Sequence, residues 1–145
     1  MRVLSNACEY AIRALVFIVS SEDERDYLPV RRIAEQLDIS SPFLSKIVQL
    51  LAAKGILNSY RGPNGGVALA RQASAISLME IVTAIDGEGL FHDCFLGLPE
   101  CGDHNHCPLH SWWSKIRAEI GETLSTATLQ DLDNDATDFF NLIKS

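Results

Sequence analysis

The residue types best suited to bind a soft metal are concentrated in one short part of this chain. Seven of its eight Cys and His residues fall between positions 92 and 110, in the stretch HDCFLGLPECGDHNHCPLH. Cysteine thiolates bind zinc, copper(I) and iron–sulfur clusters, and histidine is a common partner in such sites. The stretch is punctuated by glycine and proline, which predicts a loop. The sequence therefore indicates a metal or cluster site in a loop.

The spacing of these ligands narrows the type of site. It reads Cys94-x6-Cys101-x5-Cys107-x2-His110, which matches neither the CxxC pairs of zinc ribbons nor the tight ferredoxin run. Wide, Gly/Pro-containing gaps let a loop wrap around something larger than one ion. Cys107 and His110 lie three residues apart at the start of a predicted helix, so both side chains can face one site. A cluster held by three cysteines and completed by a nitrogen or oxygen ligand fits this pattern.

Two other interpretations of the loop stay open from the residues alone. One is a structural zinc site of three cysteines and one histidine. The other is a metal-free thiol redox sensor, which requires accessible cysteines of low pKa. His92, His104 and His106 are interpreted as polar loop residues, and Cys8, on the first predicted helix, as a small packed side chain.

Length and composition indicate one soluble domain. The chain has 145 residues, of which 47% are hydrophobic, and no apolar run approaches the ~18 residues of a membrane span. The N-terminus lacks the pattern of a signal peptide, so we expect a cytoplasmic protein with no membrane partner. Thiols stay reduced in that compartment, which favours metal or redox chemistry over disulfides.

Charge is divided unevenly along the chain. Residues 1–71 carry nine Lys/Arg and seven Asp/Glu, a net of +2, whereas residues 72–145 carry three and twelve, a net of −9, which together give −7. The first part can approach a polyanion and the second would repel one. The two parts are therefore expected to have different partners.

Hydrophobic periodicity predicts a mainly α-helical fold with one small β-hairpin. A first helix spans about 5–20, with Asn6 as a possible N-cap and Glu9 as its capping-box partner. Two short helices follow, and together they form a helix-turn-helix candidate. In the second, Ser41 is the predicted N-cap, Pro42 takes the first helical position and Gly55 can end the helix. Residues 56–70 flank the turn RGPNGG as two strands, which is a wing. Ser77 and Glu80 form a capping box before the next helix.

The C-terminal part contains a long helix after the Cys/His loop. Its apolar residues recur every three or four positions at Leu109, Trp112, Trp113, Ile116, Ile120 and Leu124. A last apolar group lies within residues 134–144. The predicted fold is therefore a winged helix-turn-helix followed by a long helix.

The winged helix predicts a surface that contacts DNA. A second helix of this motif places its N-terminal side chains in the major groove, while the wing reaches the minor groove. The candidates on the second helix are Ser40, Ser41, Ser45, Lys46 and Gln49; those for the DNA backbone are Arg31 and Arg32, and those on the wing are Arg61, Asn64 and Gly65. The same geometry also occurs in folds that never touch DNA, where these residues are ordinary surface.

An enzyme is not expected. The sequence offers no nucleophile–base pair, no phosphate-binding loop and no paired carboxylates that suggest catalysis.

Five stretches together resemble the Rrf2 family of bacterial transcription regulators. They are MRVLSNACEYAIRAL, IAEQLDISSPFLSKIVQLLAAKGIL, RGPNGGVALA, ISLMEIVTAIDG and the three-cysteine loop before a long helix, and they cover nearly the whole chain in order. The resemblance implies a homodimer that binds a palindromic double-stranded DNA operator. Each protomer would be one compact domain, divided into a DNA-binding region 1–71, a connecting helix 72–90, a cluster loop 91–110, and a dimerisation helix with a C-terminal segment 111–145.

The resemblance also implies a cofactor. Family members with three loop cysteines are iron–sulfur sensors, so Cys94, Cys101 and Cys107 match ligands of a [2Fe–2S] or [4Fe–4S] cluster. His110 matches the fourth ligand of the IscR type, and Glu9 matches the acidic ligand that the NsrR and RsrR types take from the partner's first helix. The implied function is a regulator whose operator affinity is controlled by a cluster that senses redox state, nitric oxide or iron–sulfur status.

Overall fold

The computed structural model describes residues 3–21, 27–63, 65–102 and 105–134. It confirms a mainly helical fold with one two-stranded hairpin. In chain order the elements are α1 (Asn6–Ser20), α2 (Val30–Leu37), α3 (Ser41–Ala53), β1 (Leu57–Tyr60), β2 (Gly66–Leu69), a 3₁₀ turn (Ala73–Ala75), α4 (Leu78–Asp86), α5 (Gly89–His92), α6 (His110–Thr126) and α7 (Leu129–Asn134).

Helix α1 is capped by Ser5, so the prediction of Asn6 as its N-cap is wrong. The Ser5 hydroxyl accepts a hydrogen bond from the Cys8 N–H at 3.0 Å. Ser5 is also tied to the end of α4, because its N–H donates to the Asp86 carboxylate at 3.0 Å and its hydroxyl donates to the same group. This long-range tie selects Ser5 over its neighbour. Glu9 is consequently one position too late for a capping box, and that prediction is wrong as well.

Helices α2 and α3 form the helix-turn-helix. Asp38 ends α2 in the left-handed conformation, with φ of 55°, and three residues separate the two helices. Ser40 caps α3, since its hydroxyl accepts from the Phe43 N–H at 3.2 Å. The sequence had indicated Ser41, which is instead the first helical residue. The extended backbone of Ser40 lets its side chain reach the free N–H groups of the first turn.

The wing is fixed to the rest of the domain by backbone hydrogen bonds. Strands β1 and β2 pair antiparallel from Leu57↔Leu69 to Tyr60↔Gly66. Leu28 adds a third short pairing, because its N–H donates to the Val67 oxygen at 2.9 Å and its oxygen accepts from the Val67 N–H at 2.8 Å. A side chain at Gly66 would press against the Leu28 carbonyl, so this close approach requires glycine.

Among the described residues, the hydrophobic core lies within residues 8–84, which include the winged helix and most of α4, and Leu129 adds to it from further along the chain. Its largest fully buried side chains are Leu15, Ile33, Leu44, Ile47, Leu51, Ile56, Ile76, Ile81 and Leu129. The last of these, Leu129, lies after α6 in the chain, and its side chain packs into the same core. Leu129 N–H donates to the Ile76 oxygen and Leu78 N–H to the Ala127 oxygen, both at 2.9 Å, which ties the end of α6 to the start of α4.

The segment from 85 to 128 has a different character. None of its described side chains is buried. It contains α5, the Cys/His loop and α6, and it is joined at both ends to the core that precedes it. Within the described residues, no helix combines the length and apolar character needed to cross a lipid bilayer.

Candidate metal centre and nucleic-acid interface

The three loop cysteines converge on one point. Their Sγ atoms all lie within 4.8 Å of one another, and the Cys94 and Cys107 Sγ atoms are 3.6 Å apart. Two consecutive turns fold the first gap so that this is possible. Gly97 N–H donates to the Cys94 oxygen at 2.9 Å, and Cys101 N–H donates to the Leu98 oxygen at 3.2 Å. Gly97 has φ of 72°, a left-handed backbone that glycine adopts without strain.

His110, the first residue of α6, lies beside this group of cysteines. Its Nδ1 lies 3.7 Å from the Cys101 Sγ, and its N–H donates to the Cys107 oxygen at 3.0 Å. The turn made by Cys107-x2-His110 therefore points both side chains to one place. All four residues line a cavity of about 240 Å³ between the loop and α6.

The other candidate ligands are placed differently. Glu9 does not line this cavity in its own protomer. His92 does line it, although its Nε2 lies 3.7 Å from the Glu88 carboxylate. The His106 ring stands against the His110 ring with 4.0 Å between their centroids, whereas His104 lies outside the described residues. The cavity thus holds four of the predicted ligands, with two further histidines beside them.

The thiols of the chain have different acidities. Backbone N–H groups of Leu98 and then Leu96 stabilise the Cys94 thiolate and lower its pKa to about 7. Burial raises the pKa of Cys107, and the neighbouring thiols of Cys94 and Cys101 raise it further. Burial, with the nearby Asp86 and Glu9 charges, raises the pKa of Cys8 to about 12. Cys8 is fully buried on α1, where it is a packed side chain and not a ligand of this cavity.

Trp113 and Arg117 of α6 both bind the backbone of Asp93 at the wall of the cavity. This contact, here called the clasp, was not predicted from the sequence. The Asp93 carbonyl oxygen accepts from Trp113 Nε1 at 2.9 Å and from Arg117 Nη1 at 3.0 Å, which fixes the residue before Cys94. Arg117 Nη2 also donates to the Ser114 hydroxyl at 3.1 Å. A helical signal was present in the sequence, because positions 110, 113 or 114, and 117 share one face of a helix.

The donor set fits a soft metal or an iron–sulfur group. Three thiols and one imidazole share a partly enclosed cavity, and such ligands suit zinc and iron–sulfur clusters alike. The Cys94–Cys107 separation of 3.6 Å is close to the ~3.8 Å expected between two thiolates bound at ~2.3 Å to one tetrahedral ion. Cys94 and Cys107 are therefore already spaced to bind one metal ion.

The predicted DNA contacts lie on α2, α3 and the wing. Ser40, Ser41, Lys46 and Gln49 are exposed along α3 and its cap, and Ser45 is half-buried. Arg31 and Arg32 are exposed on α2, where Arg31 Nε lies 3.4 Å from the Glu35 carboxylate. Arg61 is exposed at the start of the wing turn and Gly65 is half-buried near its end, whereas Asn64 lies outside the described residues.

Comparison with known proteins gives consistent matches along the chain. The family described as "Rrf2: Iron-dependent Transcriptional regulator" matches residues 4–135. The HTH-type transcriptional regulator IscR of Yersinia pseudotuberculosis is 31% identical over 134 residues, covering 92% of this chain and 80% of the relative.

Solved structures show the same fold. The structure of T. potens IscR superposes with a TM-score of 0.72 at 26% identity, covering 93% of this chain and 88% of that one. CymR, the global cysteine regulator of B. subtilis, superposes with a TM-score of 0.73 at 22% identity, covering 92% and 98% of the two chains.

Proposed function

The chain belongs to the Rrf2 family of DNA-binding transcriptional regulators, and we propose that an iron–sulfur cluster in its cysteine loop sets its affinity for DNA. It is a regulator and not an enzyme. The observation that carries the proposal is the convergence of three Sγ atoms within 4.8 Å of one another, with a fourth donor, His110 Nδ1, 3.7 Å from one of them. The family's description as iron-dependent agrees with iron in this place.

The proposed ligands are Cys94, Cys101, Cys107 and His110. His110 is proposed as the fourth, because its Nδ1 lies 3.7 Å from the Cys101 Sγ and it lines the same cavity. The alternative fourth ligand is Glu9 from the partner chain. A histidine ligand goes with a [2Fe–2S] cluster in the related type, so we favour that form over [4Fe–4S]. Such a cluster supplies a redox-active centre that also reacts with nitric oxide.

We propose that two copies of the chain assemble through α6. No side chain of α6 is buried in a single protomer, although the helix carries Trp112, Ile116, Ile120 and Leu124. When a second helix covers apolar side chains at this spacing, their burial lowers the free energy of the assembly. A dimer would also place two copies of α3 at two half-sites of a palindromic operator.

Most of the proposed DNA contacts are exposed polar or basic side chains. Lys46 and Gln49 on α3 reach base edges or phosphates, together with Ser40, Ser41 and Ser45. The DNA backbone is met by Arg31 and Arg32, and the minor groove by the wing residues Arg61, Asn64 and Gly65.

Coupling between the two sites has a direct structural route. The cluster loop lies between α5 and α6, α4 packs against α6, α1 and α3, and Ser5 is tied to Asp86 at the end of α4. When the four ligands lose their shared partner, the loop and first turn of α6 can move. A change in the tilt of α6 would then alter the spacing of the two recognition helices, and a small misfit across two half-sites is unfavourable.

The test of the cofactor is chemical analysis of protein purified without oxygen. We expect iron, acid-labile sulfide and visible absorption in the wild type, all lost in Cys101→Ser. His110→Ala should change the spectrum, whereas Glu9→Gln should not. Stoichiometric zinc in a colourless protein would contradict the proposal and support a structural zinc site.

One specific observation favours a second candidate, a thiol redox sensor. The Sγ atoms of Cys94 and Cys107 are 3.6 Å apart, and the Cys94 pKa is about 7. A Cys94 thiolate would attack one oxygen of hydrogen peroxide and release hydroxide, which takes up a proton to form water. The Cys107 thiol would then displace a second water from the sulfenic acid, so that two thiols are oxidised to a disulfide as one peroxide is reduced.

Mass spectrometry of metal-free protein tests this candidate. Peroxide should remove two hydrogen masses and join Cys94 to Cys107 in the wild type, and Cys107→Ser should abolish the link. Peroxide-treated wild type without that link would exclude the thiol mechanism, and the iron analysis above is independent of this outcome.

A further inference from the structure

Arg117 has a buried donor for which the described residues provide no acceptor. Its Nε is fully shielded from solvent and has no hydrogen-bond partner within the part of the chain that the structure describes. Folded proteins rarely leave a buried N–H unpaired, and a charged group makes the loss larger. Arg117 lines the cavity formed by the three cysteines and His110. The side chain that carries the unpaired donor therefore forms part of the wall of the site that is proposed to hold a metal group.

The guanidinium is held in place from its other end. Nη1 donates to the Asp93 oxygen at 3.0 Å and Nη2 to the Ser114 hydroxyl at 3.1 Å. These two bonds fix the plane of the group and orient the Nε–H as well. The donor is thus preorganised before any ligand arrives, so little side-chain freedom is lost when it finds an acceptor.

The charges in the cavity point to a sulfur acceptor. Binding of any soft metal requires deprotonated cysteines, so Cys94, Cys101 and Cys107 bring three negative charges. Of the described residues that line the cavity, Arg117 is the only arginine or lysine. Hydrogen bonds to ligand sulfur and nearby positive charge both stabilise the more negative form of a metal–thiolate group and raise its reduction potential.

We propose that Arg117 is a positioning residue of this site, which donates its Nε–H to sulfur of the thiolate-bound group and stabilises its reduced state. For a cluster this rests on the proposed function, but the same interaction would act on any metal held by the three thiolates. The two cases are separated by using a metal ion alone and then the cluster.

The variants are chosen to separate orientation, charge and fold. Arg117→Gln removes the charge and the oriented N–H, whereas Arg117→Lys keeps the charge alone. Lys115→Gln is the matched control, because it removes one exposed positive charge two residues away on the same helix. Trp113→Phe loosens the clasp on Asp93 without changing any charge. Circular dichroism and the melting temperature of each metal-free variant establish that it is folded before comparison.

The first measurement uses Co²⁺ alone. It is titrated without oxygen into metal-free protein and followed by its thiolate absorption. We expect at least tenfold weaker binding in Arg117→Gln, a smaller loss in Arg117→Lys, and less than twofold change in Lys115→Gln. If Arg117→Gln stays within twofold of Lys115→Gln, or if Trp113→Phe reproduces its full loss, the proposal is overturned.

The second measurement is the midpoint potential of the cluster in the same variants. At fixed potential we expect Arg117→Gln to hold about tenfold less of the reduced form, which corresponds to ~59 mV for a one-electron couple. An unchanged potential would overturn the proposed redox role of Arg117. A wild type that binds Co²⁺ with the expected Arg117 dependence but contains no iron or sulfide would refute the cluster and leave the assignment of Arg117 standing.

Discussion

Two regions of the molecule are stabilised in different ways. The first is the described part of residues 3–84, which contains the winged helix and most of α4, and the second is the segment from 85 to 128. Among the described residues, the first contributes nearly all of the buried side chains, from Cys8 to Ala84, and only Leu129 joins them from beyond. The second contributes none among its described residues, although it holds the cysteine loop and the 17-residue helix α6. The shape of the first part is therefore determined by its own packing, whereas the second has no buried core among its described residues.

The cysteines show the same contrast on a smaller scale. Cys8 is fully buried and its pKa is raised to about 12, so it is a neutral, unreactive thiol. Cys94 has a pKa of about 7 and stands beside two other thiols. One region uses cysteine as a packing residue, and the other holds the three cysteines that we propose as ligands.

Truncation of the core should give the largest effect. Leu15 is fully buried on α1, so Leu15→Ala should lower the free energy of unfolding by about 3 kcal/mol. Ile116→Ala, at a half-buried site on α6, should cost less than about 1.5 kcal/mol in dilute, metal-free protein. Urea unfolding measures both, and equal losses would remove the distinction between the two regions.

Removal of the metal group should loosen only the second region. We expect amide hydrogen exchange in the loop from 94 to 107 to rise about 100-fold, equivalent to ~2.7 kcal/mol in local opening. Amides of α3 should be unchanged, because the core around them is independent of the loop. Exchange that rises equally in both regions would show that the metal stabilises the whole fold.

A substitution in the wing should act on the first region alone. A Cβ at Gly65 would collide with the Tyr60 carbonyl, so Gly65→Ala should destabilise the hairpin by about 2 kcal/mol. Gly121→Ala is a matched control, because a Cβ at that position makes only ordinary contacts, with Met79 at 3.6 Å and Phe91 at 3.7 Å. Operator affinity should fall for the first variant, with metal content unchanged in both. If Gly65→Ala also lost its metal, the wing would influence the cysteine loop, which the structure does not indicate.

The smallest effect concerns the pH dependence of α4, which links the two regions. Burial alone would raise the pKa of Glu80, but the Ser77 N–H and Arg71 hold it below the ordinary value of 4.5. Glu80 thus adds stability above that value, which is lost as pH falls through its folded-state pKa. Glu80→Gln should cost about 0.5 kcal/mol at pH 7 and nothing at low pH, measured by urea unfolding. A difference that persists below the folded-state pKa would show that charge is not the cause.

Much of the first region was predictable because its signals are local. The apolar periodicity of α3, the turn residues of the wing and the Ser77–Glu80 capping box each depend on a few neighbouring residues. The caps of α1 and α3 were wrong by one position. For α1 the deciding contact comes from Asp86, 81 residues away in the chain, which no local pattern shows.

The site was predictable in its ligands but not in their surroundings. The types and spacing of the Cys and His residues predicted that the four candidate ligands lie close together, and the structure places them in one cavity. The clasp between Asp93 and Arg117 joins residues 24 apart across the loop, and Leu129 reaches a core far from it in sequence. Such contacts depend on the path of the loop, which the sequence does not specify locally.

The most direct test of the account is operator affinity with and without the cluster. The DNA is a duplex selected from a random library by the anaerobically purified protein, and binding is followed by fluorescence anisotropy at one fixed salt concentration. One preparation is measured before and after removal of iron and sulfide. The account predicts at least a tenfold difference in Kd, which is about 1.4 kcal/mol of coupling between the loop and the recognition helices. Equal affinities of the two forms would contradict it.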